Sequence, residues 1–166
     1  MADRVEAQRG ATLPLEGMRV LDMSRLLPGP LCTLYLADLG AEVIKIEDPQ
    51  LGDYARATLF PPDGEDGMSR FFREANRGKK SVALDLADSN DRARFHQLVR
   101  SADILIEGFR PGVVERLGAD FELLSSINPR LVYVSITGYG QHGDKRLTAG
   151  HDLNYLAYAG VLDQLR

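Results

Sequence analysis

The sequence predicts an α/β fold built on a parallel sheet that is covered by helices on both faces. Strand-like apolar runs and helical patterns alternate along the chain, which is typical of parallel strands joined by crossover helices. The strand-like runs are nearly continuous in apolar residues, as expected for strands that are buried on both faces. With 166 residues, of which 44% are hydrophobic, the chain is long enough for one domain of this kind.

The first unit of the fold is a strand–helix–strand segment. It consists of an apolar run at 18–23, a helical pattern over 31–39 and a second apolar run at 42–47. Pro28 and Pro30 suit the first helical turn, where a missing N–H costs nothing, and Gly40 suits the end of the helix. The unit therefore implies parallel pairing with a right-handed crossover.

A long irregular segment follows at residues 50–73. It is rich in glycine, proline and charge and has no clear period, so we predict a loop with one helical turn near 69–74. Loops of this length inside a domain are usually functional or interfacial.

The remaining residues repeat the alternation of strands and helices. We predict strands at 81–86, 103–107 and 131–136, and helices at 90–100, 113–117, 121–126 and from 151 onward. Asp88 or Ser89 caps the helix at 90–100.

Composition and charge exclude several classes of protein. The net charge of −4 disfavours nucleic acid as a partner, and no apolar run is long enough to cross a membrane. Cys32 is the only cysteine, which excludes an internal disulfide and favours a cytoplasmic location. We expect the Cys32 side chain to be buried in the apolar core, as a small apolar residue would be. Residues 1–12 are polar, and we expect a disordered lead-in before a domain that spans 13–166.

Common cofactor motifs are missing from the sequence. There is neither a glycine-rich dinucleotide fingerprint after the first strand nor a P-loop, and the three histidines lack metal-ligand spacing, so no metal site is predicted. The cluster of Arg77, Lys79 and Lys80 is either a solvated strand entry or a phosphate-binding group. Arg110 and Arg116 flank a Pro-Gly turn, and arginine suits bidentate phosphate contacts.

The pair His151 and Asp152 is the main catalytic candidate. It follows Gly150 and precedes a helical apolar pattern, which places it in the first turn of a helix, where backbone N–H groups are unpaired. A histidine there can serve as a base near neutral pH, with Asp152 accepting a hydrogen bond from its ring. The alternatives are a structural histidine and a first-turn carboxylate that only complements the helix dipole.

Five segments, in the expected order, resemble the family III coenzyme A (CoA) transferases of the CaiB/BaiF type. They are residues 15–22, 28–30, 36–47, 76–81 and 106–112. Within that family, residues 149–155 are similar to the α-methylacyl-CoA racemase branch, because transferases tend to carry an aromatic residue in place of His151. The resemblance implies a Rossmann-like large domain, an interlocked homodimer, acyl-CoA as substrate and no prosthetic group.

The resemblance also implies which residues contact CoA and which residue moves the proton. With Arg110 added as a phosphate-binding candidate, the adenine and phosphate contacts are Leu26, Leu84, Asp85, Leu86, Gly108, Phe109, Arg110 and Arg116. His151 matches the histidine that exchanges the α-proton of a 2-methylacyl thioester through an enolate, which backbone N–H groups can stabilise. The alternatives are a CoA transferase that works through an acyl anhydride and a non-catalytic CoA-binding or dimer-forming chain.

Three departures from the family pattern affect these expectations. Asp48 and Ala87 stand where many relatives have arginine and lysine, so two phosphate partners are either missing or replaced by Arg25, Lys79 or Lys80. The family's second proton-transfer residue, an aspartate, corresponds to a position beyond Arg166. We therefore expect the N-terminal portion of a racemase-like enzyme, with little or no racemase activity on its own.

Overall fold

The computed structural model describes residues 13–165, and its frame is one five-stranded sheet. The strands are β1 (Arg19–Asp22), β2 (Glu42–Glu47), β3 (Lys80–Ala83), β4 (Ile104–Glu107) and β5 (Val132–Ser135). They lie in the order β3-β2-β1-β4-β5, and each neighbouring pair is parallel. The predicted fold class is confirmed, and the strand order reverses between β1 and β4, where ligands bind in such sheets. The predicted lead-in at 1–12 lies outside the described residues.

Six α-helices connect or follow the strands within residues 13–165. They are α1 (Pro28–Asp38), α2 (Arg70–Ala75), α3 (Ser89–Arg100), α4 (Val113–Leu117), α5 (Phe121–Ile127) and α6 (Asp152–Tyr158), and a 3₁₀ helix at Val161–Leu165 follows. Of the two predicted caps for α3, Asp88 is the one observed, accepting from the N–H groups of Asn90 and Asp91. Ser69 caps α2, where a helical turn is predicted.

The third strand is shorter than the predicted run at 81–86. The N–H of Leu84 still donates to the carbonyl of Glu47 at 2.9 Å, continuing the ladder of β2 and β3. The Asp85 carboxylate then accepts the N–H of Ala87 at 2.9 Å, and this local turn directs the chain away from the sheet. Leu84 and Leu86 remain buried although they lie outside the strand.

Apolar side chains cover both faces of the sheet. On one face, Phe95 of α3, Val114 of α4 and Leu124 of α5 pack in a cluster that includes Leu21 and Leu105 of the strands. On the other face, Leu36 and Ala37 of α1 pack against a cluster formed by Val20, Ala41, Val43 and Ile106. The helices thus bury the strands from both sides, as the apolar strand runs predict.

The interpretation of Cys32 as a buried residue is wrong. Cys32 is exposed on α1, whereas the next two residues, Thr33 and Leu34, are buried against the sheet. One turn of helix holds 3.6 residues, so adjacent positions face different directions. An apolar residue type by itself does not fix which face it occupies.

Glu47 anchors the long segment between β2 and α2 to the sheet. Arg56 binds its carboxylate with two N–H groups, at 2.6 and 2.7 Å, while the Arg56 guanidinium lies 4.0 Å from the centre of the Phe72 ring. Burial by itself would raise the pKa of Glu47, but hydrogen bonds from Arg56 and Ser81 and the charge of Arg56 lower this pKa to about 2.

We expect this carboxylate to make the fold acid-sensitive. A carboxyl pKa depressed from 4.5 to about 2 stabilises the folded state above the unfolded pKa, and the contribution is lost as pH falls through that window. Between pH 6 and pH 3, urea unfolding of the wild type should lose roughly 2 kcal/mol that Glu47→Gln does not lose. Glu16→Gln, at an exposed position, is the control, and equal acid sensitivity of the wild type and Glu47→Gln would contradict the assignment.

Candidate functional site

A cleft lies at the carboxyl ends of the first four strands, next to the switch point of the sheet. Its walls come from the end of β2, from the loops that follow the four strands and from one helix: Met23, Arg25, Ile46, Glu47, Asp48, Leu84, Asp85, Leu86, Phe109 and Leu117. Four of the predicted CoA contacts are therefore brought together, because the carboxyl ends of parallel strands meet at one edge.

Arg25 supplies a cation to this cleft. Its guanidinium lies over two aromatic rings, 5.1 Å from the centre of Tyr54 and 5.4 Å from that of Phe109. Its Nη1 also donates to the Tyr54 hydroxyl at 2.9 Å. Arg25, Tyr54 and Phe109 come from three different loops. The sequence therefore indicates that Arg25 follows the first strand, but not that these three side chains meet.

Glu107 fixes the backbone of Phe109. Its Oε2 accepts the N–H of Phe109 at 2.7 Å, directly after β4. Burial raises the pKa of the Glu107 carboxyl, against the hydrogen bonds from Ser135 and from Phe109. The aromatic wall of the cleft is thus held by a buried carboxylate, for which the sequence predicts no role of its own.

Asp48 gives the cleft an anionic group where many relatives are expected to carry arginine. It accepts the N–H groups of Gln50 and Leu51, each at 2.9 Å. These bonds are the main reason that the pKa of Asp48 is lowered, and the charge of Arg25 lowers it further. Ala87, the other departure, is exposed.

Of the three cations proposed to replace the missing phosphate partners, Arg25, Lys79 and Lys80, only Arg25 lines the cleft. The side chain of Lys79 is buried, and its Nζ contacts Asp22 Oδ2 at 3.1 Å, Asn76 Oδ1 at 2.9 Å and the Pro30 carbonyl at 2.8 Å. Lys80 is exposed and pairs with Glu42. A solvated strand entry therefore describes Lys80 but not Lys79.

The Asp22 carboxylate holds the turn between β1 and α1. It accepts the N–H of Ser24 at 2.9 Å, the Thr33 hydroxyl at 2.6 Å and the Ser24 hydroxyl, in addition to Lys79. Burial opposes ionisation, but the charges of Lys45 and Lys79 and the two hydroxyl bonds lower the pKa of Asp22. Gly29 is required beside this turn, since a Cβ there would lie 2.1 Å from that of Ser24.

Leu26 follows Arg25 in a left-handed conformation, with φ of 65°. For a residue other than glycine this backbone costs about 1–2 kcal/mol. Strain of this kind persists only where the surroundings impose it, and it is concentrated at ligand sites. The position of Leu26 is therefore consistent with its predicted role as a CoA contact.

Three other predicted CoA contacts lie around the cleft rather than in its walls. Gly108 is exposed, and a Cβ on it would meet that of Ser24 at an ordinary 3.7 Å. Arg110 and Arg116 are exposed, the latter one residue before Leu117 of the cleft wall. Both guanidinium groups are accessible to a ligand.

His151 is the N-cap of α6, as the sequence predicts, and Asp152 is its first residue. The N–H of His151 donates to the Asn154 side chain at 2.9 Å. Both residues of the pair are exposed, and within residues 13–165 no hydrogen bond joins the Asp152 carboxylate to the His151 ring. Among the described residues, neither belongs to the cleft wall.

A tyrosine attaches the start of α6 to the end of β5. The Tyr155 hydroxyl donates to the Gly150 carbonyl at 2.7 Å, and its ring lies so close to Gly138 that a Cβ there would be 2.2 Å away. Gly138 follows β5, so His151 is tethered to the same sheet edge as the cleft.

Residues 13–165 lack two further features, a membrane-spanning helix and a cluster of metal ligands. From residue 13 to residue 165, no helix is both long and apolar enough to cross a bilayer. Over the same range, no group of three or more acidic, histidine or cysteine side chains is arranged to hold a metal ion.

Comparison with known proteins gives a consistent family match. A family model described as CoA-transferase family III matches residues 15–165. The acetyl-CoA:oxalate CoA-transferase of Acetobacter aceti is 45% identical over 149 residues, which are 90% of this chain and 38% of that protein. The α-methylacyl-CoA racemase of Homo sapiens is 37% identical, over 92% of this chain and 36% of that protein.

A solved structure agrees with the sequence match. The crystal structure of a CaiB/BaiF family protein from Brucella suis superposes with a TM-score of 0.85 at 40% identity, covering 92% of this chain and 41% of that one. The chain thus spans less than half the length of these relatives and corresponds to their N-terminal portion.

Proposed function

The chain belongs to CoA-transferase family III, and on that premise we propose that the cleft binds the CoA portion of an acyl-CoA. The observation that carries the proposal is Arg25, whose guanidinium contacts the rings of Tyr54 and Phe109 at the switch point of the sheet. An aromatic ring and a fixed cation side by side suit a nucleotide, which offers a flat base and phosphate oxygens.

The other residues of the cleft fit the two ends of such a ligand. Leu84, Leu86 and Phe109 offer apolar and aromatic surface for adenine. Arg25 binds phosphate oxygens with the N–H groups that Tyr54 does not use, and Arg110 and Arg116 bind further oxygens from outside the wall. Arg25 also offsets the negative charge of Asp48, which would otherwise repel phosphate.

For the reaction itself we propose proton transfer at the α-carbon of the acyl group, with His151 as the base. The support is its place at the start of α6, exposed to a ligand and tethered through Tyr155 to the sheet edge that carries the cleft. The ring would remove the α-proton and leave an enolate. Asp152 does not orient the ring in this arrangement, since no hydrogen bond joins the two side chains.

CoA transfer between carboxylic acids is the second candidate. It is favoured by the names of close relatives, such as the succinate–glutarate CoA-transferase of Agrobacterium fabrum, which is 43% identical. A transferase of this type needs a carboxylate nucleophile, which the resemblance places beyond Arg166. The interlocked homodimer remains a proposal for either reaction.

Deuterium exchange separates the two reactions. With a 2-methylacyl-CoA in deuterium oxide, we expect slow α-deuterium incorporation with retained configuration. The proton that His151 removes exchanges with solvent on the ring, and His151 then delivers a deuteron to the same face of the enolate. His151→Ala should lower the exchange rate by about 10²–10⁴-fold, whereas Asp152→Asn should leave it nearly unchanged.

The same sample tests the alternative when a labelled carboxylic acid is added. If the label enters the thioester and no α-exchange occurs, the proposed reaction is wrong and CoA transfer takes its place as the assigned function. Exchange that persists in His151→Ala, or no exchange at all, would contradict the assignment of His151 as the base.

A further inference from the structure

The loop between β2 and α2 carries Tyr54, which contacts Arg25 of the cleft wall, and Asp53, whose contacts the proposed function leaves unexplained. We propose that Asp53 is a positioning residue for the CoA cleft: together with Lys45 it fixes the backbone at Leu26 and so presents Arg25 to the ligand. The proposal rests on CoA binding as the function of the cleft.

The Asp53 carboxylate is a buried centre of four contacts. Both of its oxygens lie 3.2 Å from the N–H of Leu26, and Oδ1 also accepts the N–H of Ala55 at 2.9 Å. Lys45 Nζ contacts Oδ2 at 3.0 Å, and the side chains of Lys45 and Asp53 are 2% and 0% exposed, respectively. An uncharged acceptor would bind these donors more weakly.

Lys45 extends this hold to the other end of the turn. Its Nζ donates to the Ser24 carbonyl at 2.8 Å, two residues before the N–H that Asp53 accepts. The ion pair therefore binds the backbone on both sides of Arg25, at the Ser24 carbonyl and at the Leu26 N–H. Within residues 13–165, Leu26 is the one residue other than glycine with positive φ, and Asp53 supplies the contact that holds it there.

Tyr54 completes the arrangement on the side-chain level. Its hydroxyl accepts from Arg25 Nη1, and the centre of its ring lies 5.1 Å from the Arg25 guanidinium. Two adjacent residues of the loop thus hold two adjacent residues of the turn: Asp53 binds the backbone of Leu26, and Tyr54 binds the side chain of Arg25. An ion pair that only stabilised the loop would not need to contact the backbone next to Arg25, nor to be followed by a residue that contacts the Arg25 side chain.

Titration calorimetry of the 166-residue chain with CoA tests the proposal. We expect Asp53→Asn to weaken CoA binding roughly tenfold, because the charged acceptor that fixes the turn is lost. Asp63→Asn is the matched control: Asp63 lies in the same loop and pairs with Arg73, away from the turn, so CoA affinity should stay within about twofold.

A double-mutant cycle distinguishes positioning from general stability. If Asp53 acts by placing Arg25, Asp53→Asn should weaken CoA binding much less in an Arg25→Met background than in the wild type. Additive losses, or unchanged CoA affinity in a folded Asp53→Asn variant, would overturn the proposal. If Asp53→Asn fails to unfold cooperatively, Lys45→Met, which removes the other half of the ion pair, replaces it in the same cycle, with the same two outcomes.

Amide exchange at Leu26 gives a second readout that needs no ligand. The Leu26 N–H should exchange faster in Asp53→Asn, or in Lys45→Met, than in Asp63→Asn. Unchanged protection would overturn the proposal even if CoA binds. Absence of CoA binding by the wild type would instead contradict the proposed function, while Leu26 exchange would still decide whether Asp53 holds the turn.

Discussion

Lys79→Met is expected to destabilise the fold by about 3–5 kcal/mol, because it leaves the Asp22 carboxylate buried without its ion-pair partner. The Lys79 side chain is 1% exposed and that of Asp22 is 0% exposed. Lys79 also donates to the Pro30 carbonyl, so the variant loses a tie to the first turn of α1. Urea unfolding followed by circular dichroism measures the change.

Lys80→Met is the matched control for this prediction. Lys80 is the next residue, but its side chain is 70% exposed and its ion pair with Glu42 lies at the surface. We expect its unfolding free energy to change by no more than about 0.5 kcal/mol. Similar losses in the two variants would show that the burial of Lys79 does not matter energetically.

Arg25→Met is expected to weaken CoA binding about 10- to 100-fold, since hydrogen bonds to charged groups are worth about 1.5–3 kcal/mol each. Arg25→Lys should fall between the wild type and Arg25→Met, because lysine keeps the charge but cannot stack in the same way on Tyr54 and Phe109. Calorimetry with CoA provides the affinities.

Arg100→Met controls for the loss of a positive charge. Arg100 is exposed at the end of α3, next to the start of β4 and therefore at the opposite edge of the sheet. Its replacement should leave CoA affinity unchanged within about twofold. A loss equal to that of Arg25→Met would indicate a general charge effect and not a contact in the cleft.

Local signals explain why the order of elements was predictable. Apolar periodicity, Asp88 as a cap and Gly40 as a helix end act within a few residues, so each is readable from the sequence. The predicted strand at 81–86 is longer than the observed one, because Leu84 and Leu86 are apolar and buried like strand residues. The chain, however, turns away from the sheet at Asp85.

The site was predictable only in part, for a related reason. Leu84, Leu86 and Phe109 meet because all follow parallel strands, and the start of α6 at His151 is marked by Gly150 and the apolar pattern. Contacts between distant residues leave no such mark: Lys45 and Asp53 look like ordinary surface charges in the sequence, and their mutual burial depends on where the loop folds back.

Calorimetric titration of CoA into the wild-type chain tests the central claim most directly. We predict saturable binding at one site per chain, weakened by added salt because phosphate contacts contribute. A chain that unfolds cooperatively in urea, and is therefore folded, yet shows no binding at millimolar CoA would contradict the claim that this cleft is a CoA site.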